Sequence, residues 1–179
     1  MKPAIRLIGI HLLCLIVALV SASDAAARAG EGPDEWTTVC QRAEIAPRFW
    51  IERDGTPGED GKALAIAGRG ERNSNGAWVK TVPVEGGRTY RFSLHFLCEN
   101  VELPRRSLLV RITWAGEVPR ELRFEYPPTV ERCKPPAWGR IEASYRAPEN
   151  ATAAQIELIY RWDADGEVYW KDVRFEPAA

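Results

Sequence analysis

Residues 76–93 read GAWVKTVPVEGGRTYRFS and consist of two short segments joined by a turn. After Glu85-Gly86-Gly87, the apolar residues Tyr90 and Phe92 alternate with the polar residues Arg91 and Ser93. A period of two is typical of a strand with one buried face, and a glycine pair favours a turn. The stretch therefore predicts strands over residues 77–84 and 88–97.

The same period recurs along the chain, which points to an all-β fold. It appears in residues 107–114, 122–126 and 153–162, with shorter candidate strands at 36–40, 48–53, 62–67, 138–146 and 167–175. Gly, Pro, Asn and Asp clusters separate these segments, as expected of a β-sandwich or barrel. We expect one domain over residues 30–179. The alternation predicts that the following side chains face its core: Leu122, Phe124, Tyr126, Trp114 and Trp162.

The composition excludes some classes of protein. The chain has 179 residues with a formal net charge of −1, so a basic nucleic-acid-binding surface is not expected. It has only two His, which argues against a His-rich metal enzyme, and seven Trp, which is many for this length.

The N-terminus has the layout of a secretory signal peptide. Lys2 and Arg6 precede an apolar run over residues 7–20, and small residues follow. The run is shorter than the about 20 residues that a membrane-spanning helix needs. We expect residues 1–29 to be removed and the protein to be secreted or periplasmic. A lipoprotein modified at Cys14 and an uncleaved anchor are the alternatives.

Three cysteines follow the signal segment, so at most one internal disulfide can form. If residues 88–98, 107–114 and 120–126 are successive strands of alternating direction, the loop after residue 126 lies at the same end as Cys98. That places Cys133 near Cys98 and leaves Cys40 free. The alternative is three buried, reduced cysteines. There is no CxxC or Cys/His spacing typical of zinc sites.

Several motifs occur in an order that resembles a known family. The stretch at 76–93 is followed by Val110-Arg111-Ile112-Thr113-Trp114, by Tyr145-Arg146-Ala147-Pro148, and by Val168-Tyr169-Trp170-Lys171-Asp172-Val173. Over residues 35–176 the chain resembles the galactose-binding-like jelly rolls grouped with carbohydrate-binding module families 4, 9, 16 and 22. Similar domains, with a stretch like Arg42–Pro47, precede secreted bacterial carbon–nitrogen hydrolases.

The resemblance implies a jelly-roll β-sandwich that binds a polysaccharide or other glycan without catalysis. The chain ends at Ala179 with no room for a hydrolase domain, and no catalytic motif is visible, so we do not expect an enzyme. The alternative function is a protein-interaction or scaffolding sandwich that docks to an envelope partner. The functional step rests on analogy, because one fold hosts many functions.

The candidate glycan-binding residues are of two kinds. Aromatic rings can stack on sugar rings, and the candidates for such platforms are Trp50, Trp78 and Trp170, with core packing as the alternative. Polar side chains opposite the apolar rows are expected to share one sheet face, where they could hydrogen-bond sugar hydroxyls: Arg91, His95, Arg111, Glu157 and Arg161. The alternative for the polar set is a solvated sheet face with cross-strand Arg–Glu pairs.

The resemblance also implies a structural calcium ion. Similar jelly rolls use an Asp near the start of the last strand, which Asp172 matches here. Asp60 and the carbonyl of Lys62 lie in the loop that would supply further oxygens. Oxygen-rich ligation suits calcium.

Overall fold

Within residues 36–52 and 62–178, which the computed structural model describes, ten strands form two antiparallel five-stranded sheets. The strands are β1 (Thr37–Val39), β2 (Arg48–Glu52), β3 (Ala63–Ala67), β4 (Asn75–Pro83), β5 (Thr89–Glu99), β6 (Leu108–Gly116), β7 (Phe124–Glu125), β8 (Gly139–Arg146), β9 (Ala151–Arg161) and β10 (Glu167–Pro177). The predicted all-β jelly-roll sandwich is confirmed. The proposed signal peptide lies outside the described residues.

The helical parts are short. A one-turn helix spans Pro104–Ser107, and 3-10 turns span Ala43–Ile45 and Arg120–Leu122. No helix in the described ranges has the length and apolar character required to cross a bilayer.

The two sheets pack face to face with the apolar rows between them. The first sheet has the order β1-β4-β9-β6-β7, and the second has the order β2-β3-β10-β5-β8. Alternation places one side of each strand in the core, as in β6, where Val110, Ile112 and Trp114 are at most 3% exposed. The polar residues between them point outward, so the sandwich presents two outer faces.

The loop that joins β7 to β8 is fastened to the core. Cys133 in this loop forms a disulfide with Cys98, with the two Cα atoms 5.1 Å apart, and Val130 is 1% exposed. Cys40 is buried and free. This is the pairing that strand alternation predicts. The prediction holds although β5 and β6 belong to different sheets, because it needs only that successive strands reverse direction.

The predicted inward row at residues 122–126 is wrong. Leu122, Phe124 and Tyr126 are 52%, 43% and 59% exposed. Strand β7 has only two residues, at the edge of the first sheet, and Phe124 pairs with the outward-facing Thr113. The register with β6 therefore turns Phe124 outward, and Leu122 lies in a 3-10 turn where strand alternation does not apply.

Candidate functional site

The predicted polar residues are divided between the two outer faces. Strand β5 belongs to the second sheet and carries Arg91 and His95, whereas β6 and β9 belong to the first sheet and carry Arg111, Glu157 and Arg161. The sequence interpretation that placed them on one face is wrong, because it treated β5 and β6 as neighbours in one sheet. The structure brings together only the second group.

Two of the three predicted aromatic platforms are buried. Trp78 is 2% exposed and its indole Nε1 donates a hydrogen bond to the carbonyl of Ala65 at 3.1 Å. Trp170 is fully buried and packs against Phe96 with ring centroids 6.2 Å apart. Both lie within strands, on the inward side of the register, which matches the alternative of core packing. Neither ring can stack on a ligand.

Trp50 lies half-buried on the outer side of the second sheet. The guanidinium of Arg48 lies 4.6 Å from its ring centroid, and its Nε1 donates to Glu52 at 3.3 Å. Tyr169 meets it edge-on at 5.8 Å between centroids. With Arg48 over one face and Tyr169 at its edge, Trp50 is less exposed than Trp162, which is 44% exposed.

Charge pairs, both between strands and within one strand, cover the rest of the second sheet's outer face. Glu142 forms ion pairs with Arg91 and with Arg140. His95 Nδ1 lies 3.2 Å from Asp172 Oδ2, and the Lys171 ammonium lies 3.8 Å from the same oxygen. This arrangement matches the alternative interpretation, a solvated face of compensated charges.

The outer face of the first sheet is organised in rows across the strands. One row is apolar, and the register runs from Val39 through Ala77 and Ile159 to Leu109. The next row contains Val79, Glu157 and Arg111. The row after it carries hydroxyl and amide groups, on Thr81, Gln155 and Thr113, and ends at Phe124 on β7. A charged pair thus lies between an apolar row and a row of neutral hydrogen-bonding groups.

Arg111 and Glu157 form a two-pronged ion pair at the centre of this face. Arg111 Nε donates to Glu157 Oε2 at 2.5 Å and Nη2 donates to Oε1 at 2.7 Å. The Thr113 hydroxyl donates to the same Oε2 at 3.3 Å. The hydrogen bonds that Arg111 donates to Glu157 are the main cause that raises the pKa of Arg111, and burial opposes this shift. Pairing and packing therefore fix both side chains in place before any ligand arrives.

Arg161 extends the charged group towards the end of β9. Its guanidinium lies 4.1 Å from the ring centroid of Trp162, and its Nε donates to the carbonyl of Arg106 at 3.1 Å. Burial lowers the pKa of Arg161, and the positive charges of Arg111 and Arg106 lower it further. Tyr126 acts electrostatically on both arginines and raises the pKa of Arg111 and of Arg161.

These residues form what we call the arginine–aromatic strip: Phe124, Arg111, Tyr126, Arg161 and Trp162. The Arg111 guanidinium lies 5.7 Å from the Phe124 ring centroid at one end, and Trp162 is at the other. The three aromatic side chains are between 43% and 59% exposed. Flat apolar rings beside fixed hydrogen-bond donors are the elements of a ligand-binding surface.

The sequence interpretation did not assign the three aromatic members of the strip to a site. Trp162 was expected in the core, but its φ of +55° breaks the alternation of β9 and turns the ring outward. A positive φ is uncommon for a residue other than glycine. The one usable signal was Asp163-Ala164-Asp165-Gly166 directly after it, which marks the end of the strand.

The residues described from the implied calcium set fit the ion poorly. The Asp172 carboxylate faces the basic groups of His95 and Lys171, and Asp60 lies outside the described residues. In residues 36–52 and 62–178, no group of three or more His, Cys, Asp or Glu side chains could hold a metal ion.

Calcium therefore stays a prediction of the resemblance. If calcium is bound, EDTA should lower the midpoint of thermal unfolding and added calcium should restore the midpoint, because an ion bound only to the native state stabilises that state. Asp172→Asn should abolish that response. A midpoint that is the same with and without EDTA, as the basic neighbours of Asp172 favour, would exclude a structural calcium ion.

Comparison with known proteins gives structural matches only. No protein-family model matches the sequence, and no curated protein is significantly similar to it. Among solved structures, the chain is similar to the family 22 module and catalytic module of Clostridium thermocellum endo-1,4-β-D-xylanase 10B, with 15% identity, a TM-score of 0.57, and coverage of 80% of this chain and 26% of that one.

Two further solved structures are similar to the chain over most of its length. The family 22 xylan-binding domain from Paenibacillus barcinonensis Xyn10C matches with a TM-score of 0.54 and 13% identity, over 83% of this chain and 91% of that one. The enzymatically active domain of bacteriophage CBA120 tailspike protein 4 matches with a TM-score of 0.62 and 12% identity, over 83% of this chain and 20% of that one.

The fold is the jelly roll of carbohydrate-binding modules. The xylan-binding domain matches over nearly its whole length, whereas this chain spans about a quarter of the xylanase and a fifth of the tailspike chain. At these identities the likeness shows the fold alone. The predicted association with carbon–nitrogen hydrolases stays a prediction.

Proposed function

We propose that this jelly roll binds a carbohydrate on the outer face of the β1-β4-β9-β6-β7 sheet. The observation that carries the proposal is the arginine–aromatic strip, in which three exposed aromatic rings lie beside two arginines, one of them fixed in the Arg111–Glu157 pair. Sugars offer both surfaces that such a strip recognises, because their C–H faces pack on aromatic rings and their hydroxyls accept and donate hydrogen bonds.

The ion pair suits hydroxyl recognition because it is rigid and incompletely buried. The Arg111 side chain is 35% exposed and the Glu157 side chain is 12% exposed. A guanidinium and a carboxylate locked together leave further donor and acceptor positions at known places, so a ligand does not have to order them. Thr113, Thr81 and Gln155 in the next row add neutral donors and acceptors.

The opposite face is the weaker candidate. Its charges are compensated within the protein, as in the Arg91–Glu142 pair, and Trp50 is held between Arg48 and Tyr169. Exposed pairs of this kind contribute about 0–1 kcal/mol and occur on ordinary solvated surfaces. That face therefore provides matched controls for variants in the strip.

The proposed role is binding rather than catalysis, in an exported protein. The aromatic and arginine groups of the strip can hold a sugar by stacking and by hydrogen bonding. Release of reducing ends from any polymer that the protein binds would contradict the non-catalytic part of the proposal. The predicted signal segment at residues 1–29 supports secretion. A secreted protein would meet extracellular polysaccharides.

Affinity electrophoresis of the purified protein against a panel of soluble polysaccharides tests the proposal. We expect at least one polymer to retard the protein, and Phe124→Ala and Arg111→Ala each to weaken that retardation about tenfold, which corresponds to about 1.4 kcal/mol. Phe124 is exposed, so its removal leaves the core intact.

Two controls make the test specific. Arg91→Ala, on the opposite face, should bind like the unaltered protein, and thermal melts should show that every variant is folded. Equal losses in Arg91→Ala and Arg111→Ala would refute the assignment to this face. If no polymer retards the protein, the alternative gains weight, a protein-interaction surface for an envelope partner.

A further inference from the structure

Arg161 is the cation in the strip whose charge no carboxylate compensates. Among the described residues, no Asp or Glu oxygen lies within the 4.0 Å that defines an ion pair with Arg161, and its Nε is bonded to the carbonyl of Arg106. Its two Nη groups have no hydrogen-bond acceptor within the described part of the chain. The nearby ring of Trp162 holds the guanidinium plane in position at 4.1 Å.

The surroundings of Arg161 add positive charge to this end of the strip. Glu157 is already bound by both prongs of Arg111. Arg106 approaches from the other side, where its Nη2 donates to the carbonyl of Trp162 at 2.9 Å.

The nearest acid along the chain is committed elsewhere. The carboxylate of Asp163 accepts hydrogen bonds from the backbone N–H groups of Glu102 and Gly166, at 2.9 and 2.8 Å. Glu102 and Asp165 line a pocket of about 230 Å³ at this end of the strip, together with Arg72, Arg106 and Trp162 itself. Within the described residues neither of these acids forms an ion pair with Arg161.

We propose that the strip selects an acidic polysaccharide, with a uronate carboxylate on the Nη groups of Arg161 and a sugar ring against the part of Trp162 that the guanidinium leaves exposed. This inference rests on the proposed carbohydrate-binding function and narrows it to a substrate class. The two Nη groups of a planar guanidinium match a carboxylate in a two-pronged geometry. Glu157 would repel a ligand carboxylate at Arg111, so the Arg161 end is where the acid group is expected.

The test compares one polymer with and without its charge. Polygalacturonate and its highly methyl-esterified form have the same sugar backbone, but the ester has lost most of its carboxylates. We expect the unaltered protein to bind the free acid at least tenfold more tightly than the ester, and Arg161→Gln to reduce that ratio to about one. Alginate, a second uronate polymer, should show the same loss in Arg161→Gln.

Matched controls separate recognition from general attraction to anions. Arg91→Gln removes one positive charge from the opposite face and should keep the full preference for the free acid. Poly-glutamate presents carboxylates without sugar rings and should not retard the protein. An equal effect of Arg91→Gln, or retardation by poly-glutamate as strong as by polygalacturonate, would overturn the inference.

The outcomes also distinguish this inference from the proposed function. Binding of neutral polymers such as xylan with no preference for the free acid would overturn the uronate selectivity and leave carbohydrate binding in place. Retention of no polymer at all would overturn both.

Discussion

Replacing Trp170 by alanine is expected to lower the free energy of unfolding by about 3–5 kcal/mol. The side chain is fully buried between the sheets and contacts Phe96. Truncation removes the apolar contacts and leaves a cavity that the rigid strands of both sheets can fill only in part. A loss of this size is a large fraction of the 5–15 kcal/mol that stabilises a typical domain.

Urea denaturation followed by far-UV circular dichroism measures this loss. Trp162→Ala is the matched control, because that ring is 44% exposed. Removing it should cost no more than about 1 kcal/mol, chiefly the contact with Arg161. Glycan retention should move in the opposite sense: Trp162→Ala should weaken it, and folded Trp170→Ala protein should keep it. A stable Trp170→Ala variant that has lost glycan binding would instead indicate that Trp170 is a sugar-binding platform, as the sequence suggested.

The period-two pattern was sufficient to predict the strands and, for most of them, the buried side. In β5, β6 and β9 the alternating residues Phe92, Ile112 and Leu158 are all buried in the structure, as their patterns predict. This works because a strand that covers a core must place every second side chain inside it. The prediction needed no knowledge of which strands are neighbours.

The candidate site could be predicted only in part, because it depends on features that alternation does not encode. Arg111 and Glu157 were recognised as outward and polar, but their separation from Arg91 and His95 follows from strand order, which is a long-range property. Trp162 was missed because one residue with positive φ reverses the direction of its side chain. The aromatic residues of the strip therefore lie where the alternating pattern breaks.

The edge strand β7 is a second place where alternation fails to predict which side chains are buried. An apolar row such as Leu122, Phe124 and Tyr126 normally indicates a buried face, and here it is exposed. Exposed apolar groups that cluster beside charged ones are more informative about binding than buried ones. The departure from the expected pattern is itself the strongest reason to place the function on this side of the sandwich.

Removing the disulfide by Cys98→Ala with Cys133→Ala should lower the free energy of unfolding by about 2–4 kcal/mol. The bond joins residues 35 positions apart, and closing a loop of that length removes about 4 kcal/mol of chain entropy from the unfolded state in the simplest model. Measured effects are often smaller, because unfolded chains keep some structure. Val130, buried in the same loop, should hold part of the loop in place without the bond.

Chemical denaturation of the unaltered protein with and without dithiothreitol provides an independent measurement of the same quantity. Reduced protein should match the double variant, and dithiothreitol should have no effect on the double variant. Cys40→Ala is the control, since Cys40 is free: it should keep the full response to dithiothreitol. If the reductant changes neither the unaltered protein nor the Cys40→Ala variant, the Cys98–Cys133 bond does not stabilise the fold. An intact bond would also be consistent with the oxidising compartment that the proposed export signal implies, because disulfides persist outside the cytosol.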